Sequence, residues 1–317
     1  MTTSLLTLHD PEAAARYYAA GLWRRDTFYT LLCDHAAARP QDFALRDGQS
    51  RLTWRELLAA VDAVAADLDA AGLKRGERVS VWLPNRVERV VVFLACSRQG
   101  YVCNPSLHQN YTVAEIVELV TRIRATVLFA EPGYGADANT ADIFTAAAGA
   151  AGLRRVYTLG GGPGNARPFP AADSARPLPP AERNPDKIAY LAFTSGTTGA
   201  PKGVMHSDNT LLANARAMVE DWRHDQRTIL LSLSPLSHHI GTVAIAQMMA
   251  AGLELVLNAP PAGMTPLDWV RATGATHVLG VPTHAMDILA ELRRRRPERG
   301  PSAGLGADRK WSGEIMS

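Results

Sequence analysis

Short apolar runs alternate with capped, amphipathic segments along most of this 317-residue chain, and that alternation restricts the available folds more than any other feature. Thr53-Trp54-Arg55-Glu56 reads as a capping box, in which a hydroxyl and a carboxylate three residues apart satisfy the free N–H groups that open a helix. Leu57, Leu58, Val61, Val64, Ala65 and Leu68 follow at helical spacing, and Gly72 stands where a left-handed glycine would end the helix. Thr112-Val113-Ala114-Glu115 is a second capping box, with Ile116, Leu119, Val120 and Ile123 as its apolar stripe. Around these, the pattern predicts strands over 77–83, 101–104, 126–130 and 155–158, a helix through Val87, Val90, Val91 and Leu94, and a helix over 141–151. Downstream it predicts strands over 188–193, 229–233, 254–257 and 277–280, and helices over 211–222, 243–251, 265–272 and 283–296. Strands that alternate with helices assemble into parallel sheets covered on both faces, so the expected fold class is α/β.

The alternation is interrupted once, over 160–187, where Gly160, Gly161, Gly162, Gly164, Pro168, Pro170, Pro177, Pro179, Pro180 and Pro185 crowd together. Such a stretch reads as a surface linker. The expected organisation is an N-terminal extension (1–25), a first β/α subdomain (26–159), the linker (160–187), a second β/α subdomain (188–299) and an irregular tail (300–317). At 47% hydrophobic residues the chain has enough apolar material for one large or two medium domains. A formal net charge of +2 gives no electrostatic reason to expect nucleic acid. Cys33, Cys96 and Cys103 are scattered and form no C-x-x-C pair, so no metal site is predicted. The longest apolar run, 90–96, is far short of the roughly 20 residues of a bilayer span. With no apolar leader at the N-terminus, the expectation is a cytoplasmic protein without a membrane span.

The densest chemistry lies in Tyr190-Leu191-Ala192-Phe193-Thr194-Ser195-Gly196-Thr197-Thr198-Gly199-Ala200-Pro201-Lys202-Gly203-Val204, where an apolar strand runs into hydroxyls, glycines and a lysine. Gly196, Gly199 and Gly203 let backbone N–H groups approach anionic oxygens, the four hydroxyls add donors, and Lys202 adds positive charge. This suits a polyphosphate. It is not a P-loop, which would need glycine where Pro201 stands.

The run resembles the signature loop of the adenylate-forming superfamily of AMP-dependent synthetases and ligases. That family's loop wraps the β- and γ-phosphates of ATP, and the matching positions are Thr194, Ser195, Gly196, Thr197, Thr198, Gly199 and Lys202. Met205-His206-Ser207 fits the family's continuation, with Asp208, itself a good helix cap, in place of a frequent histidine. Ser234-Pro235-Leu236-Ser237-His238-His239-Ile240-Gly241 resembles the family's Pro-Leu-x-His-x-x-Gly loop, which implies that His238 borders the carboxylate substrate. His239 has no family counterpart and reads as a capping or surface histidine; adjacent residues point apart, so the pair makes poor joint metal ligands. Gly280-Val281-Pro282-Thr283 resembles a turn beside the family's acyl pocket, and Thr53-Trp54-Arg55-Glu56-Leu57 resembles a structural segment near the family's start. The likeness runs from about residue 25 to about residue 300 and covers only the N-terminal part of the family's fold.

What the resemblance implies is ATP-dependent activation of a small-molecule carboxylic acid to an acyl-adenylate and then to acyl-CoA, with ATP, Mg²⁺ and CoA taking part. The acyl-CoA synthetase type is favoured, because the substrate loop lacks the aspartate that amino-acid-activating relatives use. Alicyclic, aromatic and short-to-medium fatty acids remain open as substrates. The family's Tyr-Gly-x-Thr-Glu and Gly-Asp motifs and its lid lysine find no match. No catalytic set is complete in this chain, which alone is expected to form little acyl-CoA, its tail reading as truncated or frameshifted. The alternatives are a non-catalytic nucleotide-binding remnant and one half of a split enzyme, completed by a C-terminal fragment.

Overall fold

The computed structural model describes residues 9–162, 164, 166–172, 177–194 and 202–295. The chain opens with helices α1 (Pro11–Ala19) and α2 (Phe28–Ala38), strands β1 (Phe43–Arg46) and β2 (Arg51–Thr53), and helix α3 (Trp54–Ala70). There follow β3 (Arg78–Trp82), α4 (Val87–Gln99), β4 (Val102–Asn104), α5 (Val113–Arg122), β5 (Ala125–Ala130), α6 (Ile143–Ala147), β6 (Arg155–Thr158) and β7 (Arg167–Pro168). The remainder is β8 (Ile188–Thr194), β9 (Lys202–Ser207), α7 (Asp208–Asp221), β10 (Ile229–Ser232), α8 (His239–Ala251), β11 (Glu254–Leu257), α9 (Pro266–Thr273), β12 (His277–Leu279) and α10 (Pro282–Arg294).

Both capping boxes form. Thr53 N donates to Glu56 Oε2 at 2.8 Å and Thr112 N to Glu115 Oε2 at 2.8 Å, each threonine hydroxyl accepting in return. Gly72 takes φ +78°, the left-handed conformation that ends α3. The helix expected over 141–151 shortens to α6, because Asp142 fixes its start by accepting from Thr145 N at 2.9 Å and an alanine- and glycine-rich turn closes it early. At the head of α7 the cap is Ser207, not Asp208. The Asp208 carboxylate is fully buried instead; it accepts from Ser97 Oγ (2.8 Å) and Phe28 N (3.2 Å) and pairs with Lys187.

The α/β class holds, as two sheets. One has the order β12-β10-β11-β1-β2 and the other β7-β6-β5-β3-β4-β8-β9. Pairing is parallel except at one edge of each, where β2 runs antiparallel to β1 and β9 antiparallel to β8. Each sheet takes strands from both sides of 160–187: Leu45 of β1 pairs with Leu255 of β11, and Cys103 of β4 with Tyr190 of β8. The break at 160–187 is therefore a break in the sequence pattern and not a boundary between sheets.

Strand side chains alternate between faces, and that alternation sorts the core into layers. Val127 and Phe129 of β5, with Leu255 and Leu257 of β11, face one continuous core that also takes in α2, α3, α4, α7 and α8. Leu128 and Ala130 face the opposite way, onto α5 and α6. Val256 and Leu231 turn outward onto Trp269 and Val270 of α9. The order is helix, sheet, helix, sheet, helix, with α4 buried on nearly every side in the middle. Among the described residues no helix is long and apolar enough to cross a membrane.

Candidate active site

In parallel sheets, ligands meet the chain beyond the carboxyl ends of the strands, and the two sequence-predicted loops both start there. β8 and β9 form a hairpin in which Thr194 and Lys202 are register partners. The two ends of the hydroxyl- and glycine-rich segment are thus held one strand spacing apart, with Lys202 exposed. Ser195, Gly196, Thr197, Thr198 and Gly199 lie outside the described residues. The root of the hairpin is clamped by Ser106, in the loop after β4: Phe193 N donates to Ser106 Oγ at 2.9 Å, and that hydroxyl donates to Phe193 O at 3.4 Å.

The second loop leaves β10 and enters α8. Asn85, beyond β3 of the other sheet, holds it by accepting from Leu236 N at 2.8 Å and donating to Asn258 O at 3.3 Å. The loop turns tightly, His238 N donating to Pro235 O at 3.0 Å and Gly241 N to His238 O at 2.9 Å. Gly241 is required by this turn: a Cβ there would lie 2.7 Å from Leu236 Cα and 2.8 Å from Pro235 O, both backbone atoms.

His238 is the N-cap of α8 but makes no side-chain capping bond. Its ring stacks on His108, with centroids 4.3 Å apart and an interplanar angle of 30°. His239 points elsewhere, as adjacent residues must. It stacks on His206 of β9 at 4.9 Å and meets Tyr190 of β8 edge-on at 5.6 Å. His239 is exposed, as the sequence led one to expect, and its ring contacts join the head of α8 to the hairpin. His206 is four residues from Lys202, or about 13 Å along an extended strand. The hairpin and the head of α8 are therefore neighbours, and the space between them is the candidate crevice.

Electrostatics keep these rings neutral. Burial, the neighbouring His238 and the Arg89 guanidinium hold His108 down to about 4. Partial burial, then Arg89 and His284, lower His238; partial burial lowers His239, and burial and then His239 lower His206. Arg89 is buried in α4 and donates to Leu83 O and Pro105 O, joining the loops beyond β3 and β4. The third sequence segment, Gly280–Thr283, follows β12, whose Leu279 O accepts from Leu233 N at 2.8 Å where the second loop leaves β10.

Sequence reasoning missed His108, Ser106 and Asn85. The available signal was position, since each lies just beyond the end of a parallel strand. A cavity of about 540 Å³ lies apart from this crevice, lined by Gln49, Arg86, Glu88, Glu131, Leu159 and Phe169 among others. None of the predicted site residues lines it, and Arg86 there is already within 3.1–3.9 Å of Glu88, Asp47 and Glu131. Among the described residues no group of three or more histidine, cysteine or acidic side chains is placed to hold a metal ion.

Comparison with known proteins gives a consistent result. Residues 32–308 match the family described as AMP-binding enzyme. The chain is 30% identical over 312 residues to 2-hydroxy-7-methoxy-5-methyl-1-naphthoate–CoA ligase of Streptomyces carzinostaticus, covering 93% of this chain and 54% of the ligase. It is 32% identical over 265 residues to a feruloyl-CoA synthase of Amycolatopsis, covering 82% and 50%. Among solved structures, the apo structure of Mycobacterium smegmatis MbtA superposes with a TM-score of 0.76 at 25% identity, over 86% of this chain and 51% of that one. The chain thus spans about half the length of these relatives.

Proposed function

The chain belongs to the AMP-binding enzyme family, and from that premise we propose that it carries the polyphosphate and carboxylate sites of an AMP-forming ligase acting on an aromatic acid. The observation that carries this reading is the convergence of the two loops: the hairpin pairing Thr194 with Lys202 is packed, through His206 and His239, against the helix that begins at His238. Thr194, Ser195, Gly196, Thr197, Thr198, Gly199 and Lys202 hold the β- and γ-phosphates of ATP, the backbone and hydroxyls as donors and the lysine as counter-charge. The hydroxyls of this loop and Lys202 would hold the phosphates, and Mg²⁺, when bound with them, would supply further neutralisation of their charge.

A carboxylate oxygen attacks the α-phosphorus, the bond to pyrophosphate breaks, and an acyl-adenylate forms. In the second step a CoA thiol displaces AMP. His238, whose pKa is lowered by partial burial and then by Arg89, orients the carboxylate through a ring N–H. His108 stacks on His238 and His206 on His239, which gives the proposed site a set of flat aromatic rings. They support an aromatic acid, in keeping with the naphthoate and ferulate ligases among the relatives.

The test is isothermal titration of the chain with Mg·ATP, followed by pyrophosphate exchange with benzoate, ferulate, cyclohexanecarboxylate and octanoate in the chain extended by a family-type C-terminal region. Lys202→Ala should weaken Mg·ATP by about 1.5–3 kcal/mol, the loss typical of a charged contact. Exchange should favour the aromatic acids. Equal Mg·ATP affinity in a folded Lys202→Ala chain would remove the polyphosphate assignment, and a preference for octanoate would remove the aromatic one.

A further inference from the structure

We infer that His108 is a positioning residue for His238, setting the ring that faces the acid from the opposite sheet. The inference rests on the placement of His238 proposed above. As the N-cap of α8, His238 has no capping bond to hold its side chain. Its ring is exposed to solvent on one side and lies face to face with His108 on the other, at 4.3 Å.

His108 itself is held on several sides. Trp82 Nε1, at the end of β3, donates to His108 O at 3.0 Å. His108 Nδ1 lies 3.0 Å from Ser237 Oγ, the residue before His238. The Tyr111 ring meets the imidazole edge-on at 5.2 Å. Two residues earlier in the same loop, Ser106 grips both backbone groups of Phe193, at the root of the phosphate hairpin. The short segment from Ser106 to His108 therefore touches both halves of the crevice. One end fixes where the phosphate loop starts, and the other fixes the ring beside the carboxylate. A ring clamped in this way sets a geometry in which an error of about 1 Å is costly to reaction rate. The role assigned to His108 is exerted through His238.

The experiment compares the parent chain with His108→Ala and His108→Phe, using proteins carrying ¹³C-labelled histidine, with His238 assigned by loss of its signal in His238→Gln. The stacked neighbour should shift the His238 ring protons upfield in the parent. His108→Ala should lose that shift and average the His238 ring over rotamers, while the backbone spectrum stays folded. His108→Phe, which restores a flat partner, should recover it. In pyrophosphate exchange with benzoate in the extended chain, His108→Ala should lower the maximal rate about tenfold to a hundredfold, with little change in KM for Mg·ATP, and His108→Phe should restore much of it. A His238 signal unchanged in folded His108→Ala would overturn the inference. So would a rate loss in His108→Ala that His108→Phe fails to recover despite recovering the ring shift. An extended parent chain without exchange counts against the proposed function alone, because the ring-shift comparison then still decides the role of His108.

Discussion

Single residues show where polar chemistry is sunk into this fold and what it costs to disturb. Asp208 is fully buried against Lys187, whose side chain is 10% exposed. Removing one partner leaves an uncompensated buried charge, so Asp208→Ala should destabilise by about 3–5 kcal/mol in urea denaturation, and a Lys187→Met/Asp208→Leu pair by much less. Equal losses in the two would mean the charge itself is not what the site depends on. Gly241→Ala forces a Cβ into the backbone of Pro235 and Leu236, and overpacking of this kind typically costs about 1–3 kcal/mol. It should also displace the His238 ring, visible as a changed histidine spectrum at a lowered melting temperature. Histidines add a pH dependence with a definite sign. His108 and His224, ordinarily near 6.5, are both held down to about 4, each chiefly by burial and then by a neighbouring histidine. Each binds a proton more readily in the unfolded chain, so its contribution is complete above about pH 6.5 and is lost as pH falls from there through 4. The urea midpoint should therefore be lower at about pH 5 than at about pH 7.5; equal midpoints would contradict the burial of these rings.

At the level of elements, the parts legible in advance were those whose signals are local. The threonine–glutamate boxes opening α3 and α5 are written within four residues, and both form with the expected bonds. Thr112→Ala should accordingly cost about 1 kcal/mol by the loss of its cap, read from the melting temperature, and Thr112→Ser should recover most of it. The crevice was half legible. His238 and Lys202 could be picked out because each stands in a dense run of unusual residues. His108 could not, because its partner is 130 positions away on the other sheet and a lone histidine in a loop carries no local mark. Strand β9 was equally hidden. Lys202, Gly203 and Val204 are exposed and β9 buries only its last residue, so it shows no alternation and exists through its pairing with β8. The identity of the cap at α7 was lost to a different ambiguity: Ser207 and Asp208 are both good caps, and distant partners, Lys187, Ser97 and the backbone of Phe28, draw Asp208 inward.

Seen whole, the molecule is two sheets that exchange strands. The hairpin of β1 and β2, near the start, completes a sheet whose other members lie between residues 229 and 279, while β8 and β9 complete a sheet begun at residue 78. A fragment spanning 26–159 should therefore fail to fold cooperatively, since β1 would have no β11 and β4 no β8 beside it. Circular dichroism during urea titration would show this as a broad, weak transition; a sharp one would contradict it. The same interleaving sets a timetable for the newborn protein. At about 5–20 residues per second of synthesis, strand β1 leaves the ribosome on the order of ten seconds or more before its partner β11 exists. Through that interval an apolar edge waits in the company of chaperones and of other nascent chains. The order of these strands along the gene thus leaves β1 without its parallel partner until most of the chain has been made.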